Sequence, residues 1–212
     1  GRALLDGVRY VIVPEDSVRI GALLSGQADF VRQIQAYDEQ QVRDRGYALY
    51  APSTRGINNS VVFRPDNELV ADVRVRKAIS LLFDFEWSNG RLFHNAYKRS
   101  SSFFGNSELA ADGLPGEDEL VLLEPLREQL PAHVFEPAWI PPQTDGSGMI
   151  REQMREAYAL LQEAGWRIED DRLVNAEGEP LSFEFLLIQA DFERVLLPFK
   201  RNLASLGINM EL

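Results

Sequence analysis

The sequence predicts an α/β fold, and two patterns carry that expectation. From Val8 to Val13, Val8, Tyr10 and Ile12 alternate with Arg9, Val11 and Val13, the period-two signature of a strand rich in β-branched residues. A helical segment follows, and a short apolar stretch at Ala28–Val31 closes a strand–helix–strand unit. Such a unit implies a sheet containing a parallel pair.

Pro14 ends the first predicted strand. The next helix is expected over Ser17–Ser25, with Ser17 as N-cap, Val18, Ala22 and Leu23 as its apolar stripe, and Gly26 as its stop. Asp38–Arg45 reads as a polar surface helix, and Tyr47–Ala51 and Ile57–Phe63 as strands. Asp72 is placed to cap a helix reaching Phe83, whose Val75, Ala78, Ile79, Leu82 and Phe83 face inward. A second helical segment is expected over Glu86–Asn95.

Ser100–Pro142 is rich in Ser, Gly and Pro, with helical hints only at Ser107–Ala111 and Glu117–Leu122. Irregular stretches of that length in compact proteins are often lids or cleft walls. Regularity returns at Ile150–Ala164, where Ile150, Met154, Ala157, Tyr158, Leu161 and Ala164 share a helical face stopped by Gly165. Two short strands, Trp166–Ile168 and Arg172–Asn175, are joined by Glu169-Asp170-Asp171, and Leu181–Ile188 is the best strand in the chain. The last helix runs over Phe192–Leu206 with Pro198 expected to kink it. Ile208, Met210 and Leu212 then alternate as a strand, so a chain cut from a longer one is expected.

The 212 residues are 45% hydrophobic, enough for a real core in one domain or one and a half. The net charge of −11 argues against nucleic acid or an anionic membrane surface as partner. The charge is uneven: residues 1–106 are net +2 and residues 107–212 net −13, with Arg127 the only Lys or Arg between Glu108 and Glu136. Absence of cysteine excludes thiol catalysis, thiolate zinc sites and disulfides. No stretch approaches the roughly 18 apolar residues of a membrane span.

Little in the sequence demands an enzyme. His94 and His133 lack metal-ligand spacing, with Lys98 four residues after His94. No HExxH, GxSxG or SxxK pattern occurs. Gly146-Ser147-Gly148 precedes a helix but brings no lysine, so it reads as a linker with Ser147 as N-cap. No cofactor or metal is called for. Asp84–Phe104 differs: aromatic rings are interleaved with amides, basic groups and hydroxyls, which suits a cleft for polar organic ligands.

Several segments together resemble the family 5 extracellular solute-binding proteins, receptors of peptide and nickel ABC importers. They are VRYVIVPEDSVRIGALLSGQADF at Val8–Phe30, DVRVRKAI at Asp72–Ile79, AYALLQEAGW at Ala157–Trp166 and the LGI at Leu206–Ile208. Within that family, FDFEW at Phe83–Trp87, NAYKRSSSFFGNSELAA at Asn95–Ala111 and PPQTDGSG at Pro141–Gly148 are similar to a branch that takes up oligopeptides and peptide-like cargo such as microcin C.

The resemblance implies a type II periplasmic-binding-protein fold, present as a partial chain: residues 1–55 end a first lobe, and 56–212 form much of a second. It implies an exported, periplasmic protein that closes two lobes on its cargo like a hinge and delivers it to a membrane permease. It points to Arg55, Asn58 and Asn59 on a crossover strand and to Asn95, Tyr97 and Arg99 in a second-lobe loop as ligand contacts. Amides and backbone would hold a peptide's main chain, and Arg99 or Arg55 a carboxylate. Pairing of either arginine with Asp84 or Glu86 is the structural alternative. Two rival functions stay open: a hydrolase or transferase using carboxylates and His94, and an interaction domain without a small ligand. Unpaired sheet edges in a partial lobe would also permit dimerisation.

Overall fold

The computed structural model describes residues 5–32, 34, 38–50, 60–64, 66–105, 107–111, 113–187 and 192–212. The chain divides into two compact units, Gly1–Ser53 and Thr54–Leu212.

In the first unit, α1 spans Asp16–Leu24 and α2 spans Glu39–Asp44. The N-cap of α1 is Glu15, not Ser17, and Asp16 lies in the first turn where a carboxylate suits the helix dipole. Ile20 and Leu23 of α1 pack on Val42 of α2, joined by Val31, Tyr47 and Leu49. The Tyr47 hydroxyl donates to the Leu23 carbonyl at 2.6 Å, filling one of the acceptors a helix end leaves open.

The strands expected in this unit do not form. Residues 8–13 are irregular, with Tyr10 90% and Ile12 93% exposed, and residues 28–31 and 47–50 are irregular too. A strand exists only where a partner takes its backbone hydrogen bonds, and no described residue pairs with these. Alternation reports a surface suited to pairing, not the pairing itself. Residues 60–63, the described part of the next predicted strand, are likewise irregular.

The second unit is built on helices. α3 (Val73–Leu81) begins at Asp72, whose carboxylate accepts from the Arg74 amide at 2.8 Å. Its Val75, Ala78, Ile79 and Leu81 are buried in the core that Ala157 and Leu161 of α6 (Arg151–Glu163) also enter. Arg74 reaches across to donate to the Glu163 carbonyl, closing the end of α6. Between them lie α4 (Phe85–Leu92) and α5 (Glu117–Leu123). The second predicted helical segment thus begins one residue earlier and stops three earlier than expected.

Ser107–Ala111 is a turn rather than a helix. The Ser107 hydroxyl donates to the Phe104 carbonyl and accepts from the Leu109 amide, offering the backbone an alternative to helix. Ser147 likewise serves no helix: its hydroxyl accepts from the Met149 amide, and Ile150 is the N-cap of α6.

β1 (Arg167–Glu169) and β2 (Arg172–Val174) form an antiparallel hairpin around Asp170 and Asp171, both left-handed at φ 47° and 60°. That is the type I′ geometry that matches strand twist. β3 (Ser182–Glu184) pairs in parallel with β4 (Asn209–Glu211), with α7 (Glu193–Ala204) between them. The parallel pair therefore lies in the second unit, not where the first strand–helix–strand pattern placed it. β3 is shorter than the predicted Leu181–Ile188, of which Ile188 lies outside the described residues, because its ladder extends only as far as its three-residue partner, flanked by one bond from the Asn209 amide to the Leu181 carbonyl and one from the Phe185 amide to the Glu211 carbonyl. α7 continues through Pro198. Its Leu196, Phe199 and Leu203 enter the core, where Phe199 meets Phe83 edge-to-face at 5.7 Å.

Candidate ligand-binding site

α4 carries the site, and Asp84 starts it. The Asp84 carboxylate is only 6% exposed and accepts from the Trp87 amide at 3.1 Å as the N-cap. The Thr144 hydroxyl donates to Asp84 Oδ1 at 2.6 Å, and the Thr144 amide donates to Glu86 Oε2 at 3.1 Å. The Gly146 amide donates to the Thr144 hydroxyl. Thr144 thus ties residues 144–148 onto the first turn of α4. Gly148, at φ 85°, lies so close to the Trp87 ring that a Cβ there would stand 3.0 Å from Trp87 Cδ1. Beside it, hydrogen bonds from Ser147 hold the Asp145 carboxyl below the usual carboxylate range.

At the other end of α4 the chain turns back. His94 and Asn95 both adopt left-handed backbone, at φ 51° and 61°. That conformation costs a residue with a Cβ about 1–2 kcal/mol, least for Asn. It is held by the Asn95 amide donating to the Asn89 carbonyl and by the Asn89 side chain. The Asn89 amide group donates to the Tyr97 carbonyl at 2.8 Å and accepts from the Tyr97 amide at 3.0 Å, so one side chain imitates a strand neighbour. The Tyr97 ring stacks edge-to-face on Phe93 at 4.7 Å and stays 47% exposed.

Two residues further on, the Arg99 guanidinium lies over the Phe85 ring at 5.8 Å. Partial burial lowers its pKa, against the pull of Glu86 and Asp84 in the opposite direction. No carboxylate among the described residues comes within 4 Å of it. Arg99 therefore sits near Asp84 and Glu86 without a direct ion pair. Among the described residues its fork of donors meets no hydrogen-bond or ion-pair partner, which leaves it open to receive a carboxylate bidentately.

The structure thus gathers Asn95, Tyr97 and Arg99 along one side of α4. Arg55, Asn58 and Asn59 lie outside the described residues. His94 is exposed in the left-handed turn, and no group of His, Asp and Glu among the described residues could hold a metal. Asn89 and Thr144, which set the site's shape, escape a reading of the sequence. Thr144 meets Asp84 across 60 positions of chain. Its only sequence signal is its place in the PPQTDGSG segment, and Asn89 has none beyond its position near the helix end.

The family model described as bacterial extracellular solute-binding proteins, family 5 Middle, matches residues 1–212. The chain belongs to that family. YejA of Escherichia coli strain K12 is 37% identical over 225 residues, covering all of this chain and 37% of that protein. "Probable peptide-binding protein YejA" of Agrobacterium fabrum is 34% identical over 213 residues, covering 95% of this chain and 35% of its own length. The chain therefore spans about a third of these relatives. Among solved structures, the oligopeptide-binding protein AppA of Bacillus subtilis, in complex with a nonapeptide, superimposes with a TM-score of 0.63 at 16% identity, over 94% of this chain and 34% of AppA. The fold of this family 5 chain is thus that of the type II periplasmic binding proteins, and its family is one of extracellular binding proteins rather than enzymes. No described helix is long and apolar enough to cross a membrane.

Proposed function

We propose that this chain is part of the substrate-binding component of an ABC importer. It captures oligopeptides or peptide-like cargo in the periplasm and delivers them to a membrane permease, with no chemistry on the cargo. The observation that carries the reading is the segment 95–99: a half-buried guanidinium with no ion pair among the described residues, beside an exposed tyrosine and a backbone pinned by one asparagine. In this reading residues 1–55 belong to a first lobe and 56–212 to a second. Asn58, Asn59 and Asn95, with backbone groups, hold the cargo's main chain, Tyr97 lines the cleft, and Arg99 or Arg55 takes the carboxylate. A relative named for peptide binding and a nonapeptide complex of the same fold support it.

Thermal unfolding against a panel of short peptides tests it. A peptide present at about 100 times its Kd adds about 2.7 kcal/mol of stability. Arg99→Gln should weaken the best peptide by about tenfold or more, since a charge-assisted hydrogen bond contributes about 1.5–3 kcal/mol. It should cost the unliganded protein under about 1 kcal/mol, because Arg99 has no ion pair among the described residues and loses only its contact with the Phe85 ring. A panel without a single shift would remove the peptide reading. Equal affinity in Arg99→Gln would remove Arg99 from the site.

A further inference from the structure

Between α4 and α7 runs a groove of about 640 Å³, bordered by Trp87, Arg194, Leu197, Pro198, Lys200 and Arg201. It belongs to the second unit, and none of Asn95, Tyr97 and Arg99 borders it. Three features set it apart from an ordinary surface furrow.

The first is charge. Arg194, Lys200 and Arg201 border one groove in a chain of net charge −11, and none has a carboxylate within 4 Å among the described residues. The second is an apolar floor. Leu197 is 46% exposed and lies beside Pro198 and the Trp87 ring. The third is Pro198 itself. It has no N–H, so the Arg194 carbonyl four residues before it lacks its intrahelical donor. The groove therefore combines cations and an apolar surface, and is bordered by Arg194, whose carbonyl has no helical N–H from Pro198.

We propose that this groove binds an N-acylated apolar amino acid. Its carboxylate would meet Lys200 and Arg201, its side chain Trp87 and Leu197, and its amide N–H the Arg194 carbonyl. Such a ligand supplies the counter-charge, the apolar body and the donor together. The inference does not rest on the peptide-capture reading, because none of its residues belongs to the segment 95–99.

N-acetyl-L-leucine is the probe, with N-acetyl-L-leucine amide as its uncharged counterpart. Binding is followed through the indole N–H resonance of Trp87, assigned with Trp87→Phe. The acid should shift that resonance saturably, and the amide should bind at least tenfold more weakly. Lys200→Gln/Arg201→Gln should weaken the acid to the level of the amide and leave the amide unaffected, because the lost interaction is the same one. Pro198→Ala restores a helix donor to Arg194 and should weaken acid and amide alike. Arg99→Gln should change neither. Equal binding of acid and amide, or a Trp87 resonance unmoved by the acid, would overturn the proposal while leaving the peptide titrations of Arg99→Gln to decide the other site.

Discussion

Replacing Thr144 by valine tests whether the buried carboxylate of Asp84 organises the site. The substitution keeps the side-chain volume and removes one hydroxyl, so it opens no cavity. Asp84 Oδ1 loses its 2.6 Å donor and keeps only the Trp87 amide, while Oδ2 already has no partner and no contact with water. A hydrogen bond to a charged group contributes about 1.5–3 kcal/mol. The Gly146 amide loses its acceptor as well, but it is only half-buried and can turn to water. The expected loss is thus about 2–3 kcal/mol, measured as a lower urea midpoint at unchanged slope. In a chain of this size it lowers Tm by about 4–12 °C. Thr144→Ser retains the hydroxyl and should cost under about 1 kcal/mol. With Asp84→Asn in a double-mutant cycle, the pair should couple by more than about 1 kcal/mol. A Thr144→Val protein within about 0.5 kcal/mol of the parent would refute the reasoning, as would independent effects of the two substitutions.

Gly207→Ala should be more damaging than most glycine substitutions. At φ 76° a Cβ is strained, and it would stand 2.6 Å from the Leu173 nitrogen and 2.8 Å from the Arg172 carbonyl carbon, backbone that can yield only by breaking the Leu173–Gly207 hydrogen bond. Chemical denaturation should show a loss of about 3 kcal/mol, and a loss below about 1 kcal/mol would contradict it. Asp72 predicts a pH effect. Hydrogen bonds from the Arg74 side chain and amide lower its pKa, so its contribution is present above the ordinary aspartate value of about 4 and is lost as the pH falls through the lowered folded value. Asp72→Ala should therefore cost about 1 kcal/mol at pH 7 in denaturation curves and converge on the parent in strong acid, whereas a constant difference would exclude the carboxylate as its source.

The helices of the second unit were legible because their signals are local. Asp72 before Val75, Ala78 and Ile79, the stripe from Met154 to Leu161, and Gly165 and Gly207 after their helices each act within a few residues of chain. The hairpin around Asp170 and Asp171 was visible for the same reason. Asn95, Tyr97 and Arg99 were legible as a group too, because they sit in one short segment whose mix of rings and donors suits neither core nor surface.

Pairing and long-range contact were not legible. Val8–Val13 has a clear strand pattern and forms no strand, whereas Ser182–Glu184 forms one because Asn209–Glu211 lies beside it. A strand's hydrogen bonds point sideways, to residues its own sequence does not name, whereas a helix closes its bonds on itself. The same distinction holds in the site. Sequence alone determined which residues bring charge and aromatic surface to the segment after α4. Only the tertiary structure decided that Arg99 lies half out of water without an ion pair among the described residues, and that Thr144 fastens a distant loop to Asp84. Burial and partnership are properties of what surrounds a side chain, and those surroundings exist only once the chain has folded.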